Sequence, residues 1–376
     1  PRTFPDMGLA DARHTLFSDA ASSNEKEEAR KVLMEGIERD NMAPFYQSLC
    51  ERLGEAPNQA LMTKMLDSNK EELTKLDARV EDAKENLGDT EVRDALVAKA
   101  DYFLQIGDKD KCMEAFEVAY EKTVGAGGRL DNILTVIRGG VFFGDLSVVK
   151  KQIDRAEAEL EKGGDWERRN KLRVYKGVYL MMVREFAGAS KLFLESVATF
   201  TAVELLSFRQ FVYYLVISCS LACDRKTLKT KVIDSSEVAQ VIHETPHLKE
   251  YLTSFYTCKY DEFMPHFYHI ITSVSKDRYL AKHVRFYARY MRLNVYRQFL
   301  APYKSVTIAA MATAFGVSPQ FIDEEVSSFI SSGKLQCKID KVGGTIQSET
   351  LDERNVMYRE VIKQGDLVLN RIQKLS

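Results

Sequence analysis

One spacing recurs along the middle of the chain, and it restricts the fold more than any other feature. Ala100, Cys112, Phe116 and Ala119 lie at offsets 0, 12, 16 and 19, and Gly177, Ala189, Phe193 and Ser196 repeat those offsets. Ile137, Val149, Ile153 and Ala156 fit them with bulkier residues, so the copies start 37 and 40 residues apart. A small residue lets two antiparallel helices touch, and an aromatic ring fills the gap beside it, the logic of a tetratricopeptide-type pair. Turn signals fall inside each copy, at Gly107-Asp108, at Gly144-Asp145 and just after Arg184. One pair cannot hide its own apolar face, so pairs must stack on one another. The expectation is an all-α chain with a TPR-like right-handed helical solenoid over residues 91–301, continuing through Phe208 to Phe299. Composition agrees: 20 Gly and 8 Pro among 376 residues fall well below the usual combined share of about 12%.

The flanks read differently. Residues 1–24 are polar and expected to be irregular. Residues 25–90 are expected to hold N-terminal helices, one of them long. Its apolar positions Leu66, Leu73, Leu76, Val80, Ala83 and Leu87 fall on a and d of about three heptads, with Asn69 as a polar exception and Gly88 as the stop. This stripe is expected to lie along the next helix of its own chain.

After Pro302 the texture changes. Val306, Ile308, Ala309, Met311, Ala312 and Phe315 suggest a short helix ended by Gly316. Ser318 and Pro319 open a second helix. Lys334 to Ile339 alternates like a strand, and Thr345-Ile346-Gln347 can pair back across Gly343-Gly344. Helix, turn, helix and a small β-wing make a winged helix over residues 302–348. Alternation puts Leu335, Cys337 and Ile339 on its core and leaves Lys334, Gln336 and Lys338 on an edge able to meet a neighbouring protein. A charged linker leads to a last helix, residues 355–376. Tyr358, Val361, Gly365, Val368, Ile372 and Leu375 alternate steps of 3 and 4, and Ile362 and Leu369 widen the stripe. A surface helix has no use for such a stripe unless a partner covers it.

Several functions are excluded by what the residues lack. With 53 Lys and Arg against 55 Asp and Glu, the net charge of −2 gives no global pull toward nucleic acid or anionic lipid. The longest apolar stretch, Phe211 to Cys223, is thirteen residues, and a bilayer span needs about 20. The first residues carry Arg2, Asp6, Asp11 and Arg13 without an apolar core, so no secretory leader is expected. Cys50, Cys112, Cys219, Cys223, Cys258 and Cys337 show no CxxC spacing and read as reduced, buried thiols.

Three stretches imitate active sites. His243-Glu244-Thr245-Pro246-His247 matches the zinc-peptidase HExxH pattern, but Pro246 prevents both His from sharing one helical face. Cys258, His266 and His269 are split by Pro265 and surrounded by aromatics, so packing is expected. Gly125-Ala126-Gly127-Gly128 follows helical sequence rather than a strand, and reads as an inter-repeat loop. The winged helix raises nucleic-acid binding as an alternative. Its second helix, however, carries Asp323, Glu324 and Glu325 and no cation before Lys334, which would repel phosphates. No catalytic, cofactor or metal residue is expected, and the chain is not expected to be an enzyme.

A solenoid followed by a winged helix and a terminal helix resembles the PCI family. The marks are Ala314-Phe315-Gly316-Val317 and Gly333 to Lys341. Further stretches are similar to a lid subunit of the proteasome regulatory particle: Asn41 to Tyr46, Arg93-Asp94-Ala95, Ile106 to Lys109, Gly163 to Asn170, Thr199-Phe200-Thr201 and Gly365-Asp366-Leu367. Gly125 to Gly128 is richer in glycine than that family's pattern. The resemblance implies a scaffold that supports degradation of ubiquitylated proteins in cytoplasm and nucleus. Its implied partners are other PCI lid subunits, met through winged helix and terminal helix, and subunits of the base and its ATPase ring, with no nucleic acid, membrane or cofactor. A scaffold subunit of the signalosome, with the same architecture, is the alternative.

Overall fold

A computed structural model describes residues 3–163, 165–348 and 353–375, with the side chains of 353–356 and 375 outside the description. The chain divides into two compact units. The first holds Pro1–Leu252 and His269–Arg285, the second Thr253–Tyr268 and Phe286–Ser376.

The first unit opens with α1 (Met7–Phe17), α2 (Ser23–Arg39), α3 (Ala43–Leu53) and α4 (Gln59–Asn86). Three helix pairs follow: α5 (Asp89–Ile106) with α6 (Lys109–Lys122), α7 (Ala126–Phe143) with α8 (Leu146–Gly163), and α9 (Trp166–Met182) with α10 (Phe186–Ser196). From α4 to α11 (Phe208–Ala222) each helix packs on its neighbour in this series. The recurrent positions are the seam. Ala100, Cys112, Phe116, Ala119, Ile137, Val149, Ile153, Ala156, Ala189, Phe193 and Ser196 are all buried. Gly177 has to be small, because a Cβ there would stand 2.6 Å from the Phe193 ring. The turns are built alike. Gly107 and Gly144 take left-handed φ values of 77° and 80°, where a side chain is strained. Asp108 then accepts from the Lys111 amide, and Asp145 from the amides of Ser147 and Val148, capping the next helix. The third turn places Arg184 in the same conformation, at 73°.

Sequence reasoning missed several elements here. Residues 1–24 are not irregular throughout: α1 is capped by Asp6 and buries Leu9, Ala10 and Ala12 against its neighbours. Three small or apolar contacts are too few to show as periodicity, so tertiary packing decides the helix. In α4 the heptad reading also slips. Leu66 and Leu87 are exposed, whereas Asn69 is buried, its Nδ2 donating to the Asn41 carbonyl and its Oδ1 accepting from the Tyr102 hydroxyl. The polar exception is an anchor because both ends of its amide are satisfied. Gly125–Gly128 is not a loop. Gly125 caps α7, and Gly127 and Gly128 lie in its first turn. A Cβ on Gly127 would stand 3.2 Å from the Arg168 guanidinium, which forks onto Asp131 at 2.7 and 2.8 Å. The regular pairs end at α10. After α11 come only α12 (Arg225–Leu228) and α13 (Ser236–Val241), joined by single turns of tighter or wider helix.

The division between units runs through α14 (Leu248–Thr257), α15 (Tyr260–Lys276) and α16 (Val284–Leu300). Pro265 lies inside α15 rather than breaking it. The second unit then adds β1 (Ser305–Thr307), α17 (Ile308–Phe315), α18 (Pro319–Ser331), β2 (Cys337–Asp340), β3 (Thr345–Ser348) and α19 (Glu353–Leu375). Val306 belongs to β1, not to the short helix. The sheet is antiparallel, in the order β1-β3-β2, with Val306 opposite Ile346 and Ile339 opposite Ile346 on the other side. The winged helix shares its core with the helices before it. Phe315 lies 4.8 Å from the Tyr260 ring, 5.1 Å from Tyr296 and 5.4 Å from Phe299. For that reason the unit begins well before residue 302.

Candidate assembly interface

The last helix is the plainest feature. Every described side chain from Met357 to Lys374 is exposed. Tyr358, Val361, Ile362, Val368, Leu369 and Ile372 are each 53 to 65% exposed. The backbone of α19 includes Leu375, whose side chain lies outside the described residues. Met357, 68% exposed, extends the stripe by one turn. It stands four residues before Val361, so the same periodicity could have found it. Gly365 sits at the middle of the stripe, with no atom within 4 Å of where a Cβ would stand.

The wing keeps the expected alternation over a shorter strand. Leu335 and Cys337 are buried and Ile339 half-buried, while Lys334, Gln336 and Lys338 are exposed. Pairing begins only at Cys337, so Lys334 and Gln336 precede the strand. The Lys334 backbone is already occupied: its amide donates to the Phe329 carbonyl at 2.9 Å, and its carbonyl accepts from Arg297 at 2.5 Å. It cannot serve as a pairing edge, although its ammonium is exposed. A cavity of about 320 Å³ opens beside this edge, between Arg297 and Leu300 of α16 and residues 333–337.

Two of the three carboxylates of α18 have partners within the unit, while Glu324 is exposed. Glu325 accepts from Arg292 at 2.9 Å and from the Tyr296 hydroxyl at 2.7 Å. Burial, and then the Glu325 carboxylate, push the Tyr296 hydroxyl well above its ordinary pKa. Asp323 lies 3.5 Å from Lys341. The helix that would read DNA therefore braces the domain.

The imitation sites do not assemble. His243 and Glu244 share a single tight turn, Ile242–Glu244, and His247 follows Pro246 with φ 63°. The two His are not one turn apart on a helix. His247 instead stacks on His269, ring centroids 4.1 Å apart. Cys258 is exposed rather than buried, also at positive φ, because it forms the turn between α14 and α15. Among the described residues, no group of three His, Cys, Asp or Glu side chains could hold a metal ion.

Known proteins resemble the chain over its length. It is 44% identical over 372 residues to an Arabidopsis thaliana protein, "26S proteasome non-ATPase regulatory subunit 6 homolog", covering 99% of this chain and 96% of that one. The Dictyostelium discoideum subunit 6 is 42% identical over 100% and 97% of the two chains. The Saccharomyces cerevisiae protein, "26S proteasome regulatory subunit RPN7", is 31% identical over 98% and 92%. The chain belongs to the RPN7/PSMD6 family. That family's model for 26S proteasome subunit RPN7 matches residues 58–231, spanning α4 to α11. A PCI domain is matched at 271–350, beginning within α15 and ahead of the winged helix. The RPN7/PSMD6 C-terminal helix is matched at 357–376, the segment that carries the exposed stripe. The likeness thus takes the proteasome side of the two readings left open by the sequence. Among the described residues, no helix is long and apolar enough to cross a membrane.

Proposed function

We propose that the chain is a non-catalytic scaffold subunit of the proteasome regulatory-particle lid, supporting ATP-dependent degradation of ubiquitylated proteins in cytoplasm and nucleus. Its partners are other PCI lid subunits, and beyond them subunits of the base. The observation that carries the proposal is α19: eight apolar side chains on one helix, each more than half exposed. An apolar stripe of this size is a docking surface, and helices of like pattern cover one another through steps of 3 and 4. Tyr358, Val361, Ile362, Val368, Leu369, Ile372 and Leu375 form its contact face, and Gly365 allows close approach at the centre. The exposed side chains of Lys334, Gln336 and Lys338 are the lateral contact of the winged helix, at the rim rather than as a continuous strand edge.

The test is removal of residues 355–376. The truncated chain should melt within about 2 °C of the full chain, since no described side chain of the helix is buried, yet fail to co-purify with lid partners in native mass spectrometry. Unchanged entry into the particle would remove the basis for this reading.

A further inference from the structure

The first unit contains a cavity of about 410 Å³ with an unusual lining. Arg13, Arg52, Arg278 and Lys282 line it together with His14, and its lining contains no Asp or Glu. Apolar side chains, Phe17, Val141, Phe143 and Met182 among them, share the walls with these cations. Four cations around one small space repel each other, and a chain of net charge −2 has ample carboxylates it could have placed there.

The cations are also held in place. Arg13 donates to the Phe142 carbonyl at 2.5 Å, and its guanidinium sits 5.5 Å from the centroids of both Phe45 and Phe142. Arg52 lies 4.2 Å from the Phe17 centroid. The Arg278 side chain is only 11% exposed; its Nε forms an ion pair with Asp11 at 2.9 Å and its Nη2 donates to the Tyr279 hydroxyl. The remaining nitrogen, Nη1, is buried and has no partner, and the same is true of His14 Nε2. Unsatisfied buried donors are costly unless something accepts from them. Burial, with Arg278 and Lys282 as the leading neighbouring charges, holds His14 below its ordinary pKa, and burial together with Arg278 and Arg52 lowers Arg13 to about 10. Burial is the first cause of both shifts, and the neighbouring cations add to it.

We propose that this cavity binds a small polyphosphate, either inorganic or as the phosphate chain of a nucleotide. Guanidinium forks match phosphate oxygens two at a time, and three arginines with a lysine suit two or more linked phosphates rather than one. The space is that of a small ligand, not of a folded partner. The ligand neutralises the cluster where α1, α3, α7 and the residues after α15 meet, and so ties the N-terminal helix to the residues after α15.

The test uses the full chain at low salt, with inorganic tripolyphosphate and ADP as separate probes in calorimetry and thermal melting. At least one probe should bind with a Kd below about 1 mM, raise Tm by about 2–4 °C near saturation, and weaken as salt rises. Arg52→Gln and Lys282→Gln, both at exposed positions, should each lose about three- to tenfold in affinity and together more than tenfold, without loss of basal Tm. Tighter binding of ADP points to a nucleotide source, and equal or tighter binding of tripolyphosphate to the inorganic ion. No binding of either probe at several millimolar, or binding that the two single variants leave unchanged, overturns the proposal.

Discussion

The pair α9–α10 and the helix α19 carry the same kind of apolar pattern and meet opposite fates. In α10, Ala189 and Phe193 are fully buried, and Phe193 fits over Gly177 of α9. In α19, Val361 and Ile372 remain 64% and 58% exposed. A stripe at helical period says that a face will be covered; it does not say by what. The difference lies in the complement. The pair carries its own, a glycine opposite a ring at an offset of 16. The last helix carries a glycine at the centre of its own stripe, with open space where a Cβ would stand; on the function proposed above, the matching bulk belongs to another chain.

The widest separation between the two regions should come from truncating each. Phe193→Ala removes a ring from a packed seam and should cost about 3–5 kcal/mol, lowering Tm by roughly 6–20 °C at the 2–4 °C per kcal/mol of a chain this size. The paired change Val368→Asp with Ile372→Asp should leave Tm within about 2 °C, because neither side chain is buried, while abolishing recovery of lid partners. A drop in Tm for the α19 variant comparable to that of Phe193→Ala would mean the stripe is covered by its own chain, and the comparison would collapse.

The wing lies between these extremes and sharpens the contrast within four residues. Leu335 is buried and Lys338 exposed, three residues apart. Leu335→Asp buries an unpaired carboxylate and should destabilise the second unit by more than about 4 kcal/mol. Lys338→Glu should leave melting unchanged and slow association with a partner about two- to fivefold, since rim charges act mainly on the on-rate. Equal melting losses from both, with association unaffected beyond them, would make the wing structural only.

What was legible follows the same division. The offsets around Phe116 and Phe193, the turns at Gly107 and Gly144, and the caps at Ser318 and Pro319 are local rules, and the chain obeys them. The stripe of α19 was legible too. The misses are places where distant residues decide. Asn69 is buried because Asn41 and Tyr102 meet its amide, and Gly127, in the first turn of α7, leaves room for the Arg168 guanidinium. The basic cavity escaped entirely: Arg13, Arg52 and Arg278 are far apart in sequence, and only folding brings them to one wall.

The turns of the three pairs offer the smallest and most finely graded test. All three reverse the chain with one residue at positive φ, so the backbone demand is shared, but their surroundings differ. At Gly107 a Cβ would stand 2.7 Å from the Cβ of Phe45, which is itself fixed in the core. Gly107→Ala therefore adds a clash to the backbone strain and should cost about 2–4 kcal/mol. At Gly144 nothing lies within 4 Å, so Gly144→Ala should cost only about 1 kcal/mol, the strain alone. At Arg184 the strain is already present at φ 73°. Arg184→Gly releases it, offset in part by the larger entropy that glycine loses on folding and by the contact the side chain gives up, for a net gain of at most about 1 kcal/mol. Melting of the three variants should rank Gly107→Ala lowest, then Gly144→Ala, with Arg184→Gly at or slightly above the unmodified chain. If Gly107→Ala and Gly144→Ala fell by the same amount, Phe45 would not be pressing on the first turn. The seam between the repeats and the N-terminal helices would then be looser than the distances imply.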